Sequence, residues 1–372
     1  QEYKDEFGTA LMEKSEEERR KTLVEYSLPK NLSNMRKAMD KYRIDYDLWF
    51  SELSLHNGGE LQETIDLLTK GGFTYEKDGA LWYKNIEVQT EMLLAEGKTQ
   101  EYIDKLELKD DVLIRANGNP TYFAADIAYH RNKLQKRDFD MAVDVWGADH
   151  HGHVARMKTA MTALGLDASK LDVVLMQLVK LIGDAKDENG NVILDESGKP
   201  KKTELRMSKR TGKAIQLVDL LDEIPIDAAR FFFNTREPNT HLIFDLDLAI
   251  QENSENPVYY VQYAHARICS ILRQLEKENL SSEGIENADL SLLVDPAEIE
   301  LIRTLSYMPG EIIAAGKAYD PSKITKYSIT LATQFHRFYN ACRVKGEDEA
   351  LSKARLALCV ATKHAIANCL KI

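Results

Sequence analysis

Hydrophobic residues recur every three or four positions in the last third of the chain, which is the spacing of helices with one buried face. The pattern covers residues 261–275 and 324–342, and a final helix is predicted over residues 354–370. Such stripes usually pack into a core, so we expect Phe335 and Phe338 to be buried rather than to contact a ligand. The sequence therefore predicts a bundle of helices at this end of the chain.

Short apolar runs in the first two thirds of the chain predict strands. The predicted strands cover residues 112–115, 141–146 and 173–182, with a short return strand over 121–123. The strand over 141–146 is expected to be buried, and the long run over 173–182 is typical of a parallel sheet covered on both faces. A hairpin is predicted over residues 73–83, because Asp78-Gly79 readily adopts the positive φ angles of a tight turn.

Helices are expected before and between these strands. They cover residues 1–44, 61–69, 126–134, 150–164, 215–224 and 227–234. Two polar stretches, 84–109 and 183–203, are interpreted as insertions, the second of them as a hairpin, and residues 239–250 as a link. Strands that alternate with helices indicate an α/β domain over residues 1–250, followed by an all-helical domain over residues 251–372.

The overall composition is that of a soluble globular protein, with 372 residues, 44% of them hydrophobic and 29% charged. No apolar run approaches the roughly 20 residues needed to span a bilayer. The acidic, helical N-terminus does not have the layout of a signal peptide. These features argue against a membrane protein, and we expect a cytoplasmic location.

The net charge of −11 is unevenly distributed. Residues 317–372 carry ten Lys and Arg against four Asp and Glu, a local charge of +6. This basic end is a candidate surface for RNA, although the chain as a whole is acidic. The four cysteines lack Cys-x-x-Cys spacing and are interpreted as reduced core residues rather than as a zinc site. They are Cys269, Cys342, Cys359 and Cys369.

Residues 205–213 form a strongly basic stretch, with four cations among nine residues. The cations are Arg206, Lys209, Arg210 and Lys213. Small neighbours such as Ser208 and Gly212 allow a ligand to approach the backbone closely, which favours a loop that handles phosphate groups. The stretch lacks the two-glycine spacing of a Walker A loop. A solvated charged loop without a ligand is the alternative interpretation.

Met207-Ser208-Lys209 resembles the second signature loop of class I aminoacyl-tRNA synthetases. The segments that follow, at residues 220–223, 227–233 and 256–267, are similar to bacterial arginyl-tRNA synthetases in particular. The resemblance runs from about residue 45 to the C-terminus. It implies that residues 1–250 are the C-terminal portion of a class I Rossmann-like nucleotide-binding catalytic domain. It also implies that residues 251–372 form an α-helical anticodon-binding domain.

The resemblance implies the ligation of L-arginine to tRNA(Arg). ATP, accompanied by Mg2+, and L-arginine would give arginyl-adenylate and pyrophosphate, and the arginyl group would then pass to the 3′ end of the tRNA. Lys209 is expected to stabilise charge on the leaving pyrophosphate, with Arg206 and Arg210 in support. The loop departs from the usual Lys-Met-Ser-Lys-Ser at both of those arginines. We expect a monomer with no metal site of its own.

Three sets of binding residues are expected, the first two of them from the same resemblance. The arginine substrate is expected to meet Tyr122, Asp126 and His150. ATP is expected to meet Gly147, His153, Met207, Ser208 and Lys209. The tRNA is expected to meet Arg337, Tyr339, Asn340 and Arg343, as exposed neighbours of the core aromatics. A guanidinium is best recognised by a carboxylate beside an aromatic face, which suits Asp126 and Tyr122; a lone Asp at this position could instead be a helix cap.

Residues 149–153 support two competing interpretations. His150-His151-Gly152-His153 imitates the first class I signature, His-x-Gly-His, but it lies only 56 residues before Met207 (207 minus 151) and is interpreted as a coincidence. Asp149-His150-His151 resembles the metal-binding triplet of DHH phosphoesterases, whose other motifs we do not find in the sequence. The first signature and the N-terminal domain of the family are not found before residue 45. We therefore expect the C-terminal part of a synthetase, inactive alone, with a non-catalytic tRNA-binding fragment or paralogue as the alternative.

Overall fold

The structure is a computed structural model that describes residues 2–205, 217–346 and 348–372. The helices are α1 (Glu2–Phe7), α2 (Glu16–Lys41), α3 (Leu53–Asn57), α4 (Glu60–Lys70), α5 (Asn85–Ala95), α6 (Gln100–Asp104), α7 (Tyr122–Arg131), α8 (His151–Ala163), α9 (Leu217–Leu220), α10 (Ile226–Phe233), α11 (Leu246–Ile250), α12 (Pro257–Lys277), α13 (Pro296–Ser306), α14 (Met308–Ala318), α15 (Ser322–Ala341) and α16 (Glu349–Lys371). The strands are β1 (Thr74–Lys77), β2 (Ala80–Tyr83), β3 (Asp111–Ile114), β4 (Ala142–Gly147), β5 (Leu171–Met176), β6 (Val179–Asp184), β7 (Lys202–Glu204) and β8 (Leu242–Asp245).

The chain divides into two compact units. The β4–β5 unit comprises residues 48–178 and 238–241, and the bundle unit comprises residues 1–47, 179–237 and 242–372. This division does not test the domain boundary predicted between residues 250 and 251, which stays a prediction. No helix among the described residues has both the length and the apolar character needed to cross a membrane.

The β4–β5 unit contains an antiparallel sheet in the order β1-β2-β3 and a parallel pair, β4 and β5. The predicted hairpin is confirmed, and its turn has positive φ at Asp78 (52°) and Gly79 (73°). The predicted return strand over 121–123 is wrong. A single bridge at Pro120 takes its place, and α7 begins at Tyr122 because Thr121 caps it. Helices α7 and α8 provide the buried Ile127, Met157 and Met161 of the core.

Strand β4 is buried on one face only within its unit. Ala142 and Asp144 are buried, whereas Val143 and Val145 are 42% and 67% exposed. The prediction of a buried strand is therefore wrong for the second face. Side chains of a strand alternate between faces, so apolar residues on both faces do not show that both are covered.

The apolar run over residues 173–182 is two strands rather than the single central strand predicted. Strand β5 pairs with β4, while β6 belongs to a second sheet in the order β7-β6-β8. Between them the backbone N–H of Gln177 donates to the carbonyl of Pro238 at 2.8 Å. The sequence also missed β8, because residues 239–250 were interpreted as a link. Strand β8 runs parallel to β6, and α11 follows it directly.

The predicted helical stripes of the bundle unit are confirmed in α12, α15 and α16. Phe335 and Phe338 are completely buried in a core that also includes Leu331 and Ile268. Helix α13 begins at a capping box made by Asp295 and Glu298. Three cysteines are buried and Cys269 is partly buried; all four are free thiols, as predicted.

The two predicted insertions are ordered. Residues 84–109 fold as α5 and α6, and the amide of Asn85 donates to the carbonyl of Lys109 at 2.9 Å. Residues 183–203 form an antiparallel excursion from β6 to β7, with positive φ at Gly190 and Gly198, which confirms the predicted hairpin. The signature loop from Arg206 onward, and the start of the helix predicted over 215–224, lie outside the described residues.

Candidate functional site

The N-terminal turn of α7 presents two of the predicted arginine-binding residues. The hydroxyl of Thr121 caps this helix by accepting from the N–H of Ala124. Tyr122 is therefore the first helical residue, and Asp126 follows one turn later on the same side. Tyr122 is 78% exposed, and the side chain of Asp126 is 43% exposed. An aromatic ring and a carboxylate are thus accessible together at one end of the helix.

Helix α8 brings a predicted ATP-binding residue to this carboxylate. His153 Nε2 lies 3.2 Å from Asp126 Oδ2, although the two residues are 27 positions apart. Two aromatic rings fix the imidazole: Phe123 meets it edge-on at 5.4 Å, and Trp146 lies 5.3 Å from it. The sequence predicted both polar residues but assigned them to different substrates, and the structure joins them in one site.

The exposed end of β4 holds the other predicted residues of this unit. A Cβ atom added to Gly147 would lie 2.5 Å from Asp149 Oδ1, so glycine leaves room for that carboxylate to fold back over the strand end. His150 is exposed and lies 3.7 Å from the Asp149 carboxylate, with its ring 6.4 Å from Trp146. Gly147, His150 and His153 are therefore neighbours around the junction between β4 and α8.

The predicted residues of the signature loop receive no structural test. They are Arg206, Met207, Ser208, Lys209 and Arg210, and all lie outside the described residues. Their roles stay predictions.

A buried cluster behind the site was missed by the sequence analysis. Asp144, which is 8% exposed, accepts from His130 Nε2 at 2.6 Å and from Lys133 Nζ at 2.7 Å. Burial alone would favour the neutral acid, but the hydrogen bonds and charges of His130 and Lys133 outweigh it and lower the pKa of Asp144. The available signal was an aspartate within an apolar strand, which needs a partner when it is buried.

A second missed pair lies beside Phe123. Arg156 on α8 donates from NH1 to Asp111 Oδ1, and its guanidinium lies 5.9 Å from the ring centroid of Phe123. Burial raises the pKa of Asp111, and the Arg156 charge opposes that shift. Residues 111 and 156 are 45 positions apart, so no local pattern could have connected them.

The predicted RNA-binding residues lie on α15 and just beyond its end. Arg337, Asn340 and Arg343 are exposed, as expected. Tyr339 is not, because its ring packs against Phe335 at 6.0 Å and lies under the guanidinium of Arg267 at 4.7 Å. The expectation of an exposed Tyr339 is therefore wrong, since a helix residue next to a core stripe shares its packing.

The same surface contains aromatic residues that the sequence analysis did not select. Tyr263 is 47% exposed, and its ring stacks with Tyr259 at 6.4 Å and with His336 at 6.1 Å. Burial, together with the nearby charge of Arg267, lowers the pKa of His336 and favours its neutral ring at pH 7. The signal was present, because Tyr259 and Tyr263 are one helical turn apart.

Among residues 2–205, 217–346 and 348–372, no three His, Cys, Asp or Glu side chains come together in an arrangement that could hold a metal ion. Asp149, His150 and His151 do not form such a group.

Comparisons with known proteins bear on both units. A family model described as the DALR anticodon binding domain matches residues 261–372. An arginine–tRNA ligase of Caldanaerobacter subterraneus subsp. tengcongensis is 53% identical over 356 residues, which are 96% of this chain and 57% of that protein. An arginine–tRNA ligase of Acetivibrio thermocellus is 49% identical over 370 residues, which are 100% of this chain and 60% of that protein. The chain thus spans less than two thirds of the length of these relatives.

The chain also resembles solved structures of aminoacyl-tRNA synthetases. A Campylobacter jejuni chain assigned as an arginyl-tRNA synthetase superposes with a TM-score of 0.76 at 30% identity, over 100% of this chain and 72% of that one. Thermus thermophilus arginyl-tRNA synthetase gives 0.71 at 20% identity, over 95% and 63%. Mycobacterium tuberculosis methionyl-tRNA synthetase in complex with methionyl-adenylate gives 0.65 at 10% identity, over 92% and 77%. The last two likenesses concern the fold alone, and they confirm the predicted class I α/β fold with a helical C-terminal domain.

Proposed function

Because the chain belongs to the arginyl-tRNA synthetase family, we propose that it carries the arginine-binding part of an ATP-dependent arginine–tRNA ligase, together with a surface for tRNA(Arg). The observation that carries the proposal is the accessible carboxylate of Asp126, which lies beside the imidazole of His153 and on the same side of α7 as Tyr122. A carboxylate binds a guanidinium through two parallel hydrogen bonds that are strengthened by charge. A lysine ammonium lacks the planar pair of donors, and a neutral urea group lacks the charge. The site therefore suits arginine better than other amino acids.

The proposed reaction has two steps. The carboxylate of L-arginine attacks the α-phosphorus of ATP, which forms arginyl-adenylate and releases pyrophosphate. A ribose hydroxyl at the 3′ end of tRNA(Arg) then attacks the arginyl carbonyl carbon and releases AMP. Neither step needs a covalent bond to the protein, so the protein acts by holding the reacting groups in line and by stabilising developing charge. We propose that Lys209 stabilises the charge on the leaving pyrophosphate, with Arg206 and Arg210 in support.

The residues around β4 and α8 have separate parts in this proposal. Asp126 and Tyr122 hold the guanidinium. His153 donates to Asp126 and keeps the carboxylate directed at the pocket, while Gly147 and His150 leave room for the adenylate at the strand end. Mg2+ arrives with ATP as part of the substrate.

The bundle unit supports the tRNA part of the proposal. Its residues 261–372 match an anticodon-binding family model, and α12 and α15 carry arginines beside partly exposed rings. Stacking of unpaired bases on aromatic rings, with arginines for the phosphates, is how single-stranded RNA loops are recognised. We propose that Tyr263, His336 and Arg337 meet the anticodon loop, and that the protein works as a cytoplasmic monomer.

Calorimetric titration tests the arginine assignment directly. L-Arginine should bind measurably, whereas L-citrulline, which has nearly the same shape but no charge, should bind at least about 100-fold more weakly. L-Lysine serves as the control for charge without the planar fork. Equal binding of arginine and citrulline would refute recognition by a carboxylate. Binding of tRNA without any binding of arginine would favour the alternative, a non-catalytic tRNA-binding protein.

A further inference from the structure

We propose that His130 is a positioning residue for arginine recognition. As a doubly protonated imidazolium, it ties helix α7, which carries Asp126, to strand β4 through Asp144. The inference rests on the proposed function in one respect, because it takes Asp126 as the group that binds the guanidinium. The charge state of His130 and the connection that it makes between α7 and β4 do not depend on that assumption.

The two ring nitrogens of His130 both face oxygen acceptors. Nδ1 lies 2.7 Å from the carbonyl oxygen of Asp126, and Nε2 lies 2.6 Å from Asp144 Oδ2. A carbonyl oxygen can only accept, so Nδ1 must carry a hydrogen. An ionised Asp144 can also only accept, so Nε2 must carry a second one. A neutral ring would leave one lone pair pointing at another lone pair at hydrogen-bond distance.

The surroundings keep Asp144 ionised. Its other oxygen, Oδ1, lies 2.7 Å from the ammonium of Lys133, which itself lies 4.4 Å from the ring centroid of Tyr129. A protonated Asp144 would lose the attraction of this ammonium and would leave it with a neutral neighbour. His130 is 3% exposed, so water cannot replace a lost partner. Breaking a buried charged set by removing one member is costly, because the remaining charges stay buried.

The position of His130 links this cluster to the arginine site. It contacts the backbone of Asp126 on one side, and its ring lies 6.4 Å from Trp146, nearly perpendicular to it, on the other. Trp146 in turn packs against His153, which is the hydrogen-bond partner of the Asp126 carboxylate. His130 therefore contacts the backbone that carries the Asp126 carboxylate and also the Trp146 ring that packs against His153. Without it, the first turns of α7 lose their attachment to β4, and the distance between Asp126 and His153 is no longer fixed.

Nitrogen-15 NMR of the ligand-free protein tests the charge state. With 15N-labelled histidine, both ring nitrogens of His130 should give the signals of protonated nitrogens at neutral pH. A difference spectrum against His130→Gln identifies these signals among the nine histidines. Asp144→Asn should convert the ring to a neutral tautomer with one unprotonated nitrogen. An unprotonated nitrogen in the unmodified protein would overturn the proposal without any reference to arginine.

Ligand binding tests the positioning role. His130→Gln should weaken arginine binding by about tenfold, because a glutamine amide can replace at most one of the two charged hydrogen bonds. Binding of ATP should stay within about twofold, because a positioning defect at Asp126 does not reach the phosphates. The double variant His130→Gln with Asp144→Asn should bind arginine no more weakly than the single variant that binds it less well, because the two residues act as a unit.

Arg131→Gln is the matched control. Arg131 follows His130 on the same helix and is 7% exposed, but it pairs with Glu63 on α4 at 2.8 Å. The Arg131→Gln substitution should reduce thermal stability yet leave the affinity for arginine within about twofold of the unmodified protein. An equal loss of arginine binding in both variants would mean general loosening of α7 and would refute the positioning role. Failure of the unmodified protein to bind arginine would instead refute the proposed function, and the NMR result would then decide the charge state alone.

Discussion

The most informative single change is Asp126→Asn, which removes the charge of the proposed guanidinium acceptor and keeps its size. In the free protein this carboxylate is 43% exposed, and its hydrogen-bond partner in the described part of the chain is His153, at 3.2 Å. An exposed pair of this kind contributes about 0.2–1 kcal/mol to folding, so the free energy of unfolding should change by no more than that. The variant protein should therefore fold normally.

The effect on arginine should be much larger. In the complex, the guanidinium covers Asp126, and removing one partner of a buried charge pair costs about 3–5 kcal/mol. Because Asp126 starts out partly solvated, we take the lower value of about 3 kcal/mol, which corresponds to roughly 150-fold in the dissociation constant. The dissociation constant for ATP should change by less than about twofold.

Calorimetry with both ligands, beside a melting curve, measures all three quantities. Asp66→Asn is the matched control, because Asp66 is an exposed carboxylate on helix α4 that accepts from Gln62 and has no proposed contact with arginine. It should leave arginine binding unchanged. The reasoning is refuted if Asp126→Asn weakens arginine by less than about fivefold, or if ATP is weakened equally. Asp126 would then be only a helix residue, and the guanidinium pocket would lie elsewhere.

Four further predictions follow from the site and its surroundings. In the intact protein, Lys209→Ala should lower the single-turnover rate of adenylate formation by about 100- to 1000-fold, with normal transfer from preformed arginyl-adenylate; slow transfer after normal adenylation would contradict the assignment. On a log–log plot, the affinity for tRNA(Arg) should fall linearly as the salt concentration rises. Arg337→Gln should reduce the slope of this plot by about one, whereas Tyr263→Ala should lower the affinity and leave the slope unchanged. Because the pKa of Asp144 is lowered by folding, its stabilising effect is complete above about pH 4 and is lost as the pH falls further, so acid unfolding should be less steep in Asp144→Asn. Burial raises the pKa of Cys342 and Cys369 to about 11 and that of Cys359 to about 12, so a thiol reagent at pH 7 should label Cys269 first, and Cys269→Ser should remove the fast phase.

The sequence by itself determined the parts of the structure that depend on near neighbours along the chain. Periodic apolar residues located α12, α15 and α16 and placed Phe335 and Phe338 in the core. The Asp78-Gly79 turn located its hairpin, and the end of β4 was located beside the start of α8. These features follow from helical spacing and from turn conformations, which are decided within about four residues. The family resemblance added Asp126 and His153 as candidate site residues.

Only the tertiary structure decided which distant residues meet. An apolar run does not say where one strand ends, so the division of residues 173–182 between two sheets depended on partners elsewhere in the chain, namely β4 and β8. The joining of Asp126 to His153 across 27 residues, and of His130 to Asp144 across 14, likewise has no local signal. Buried polar groups require partners, but periodicity identifies only which side chains share a face, and the partner is chosen by the packing of whole elements.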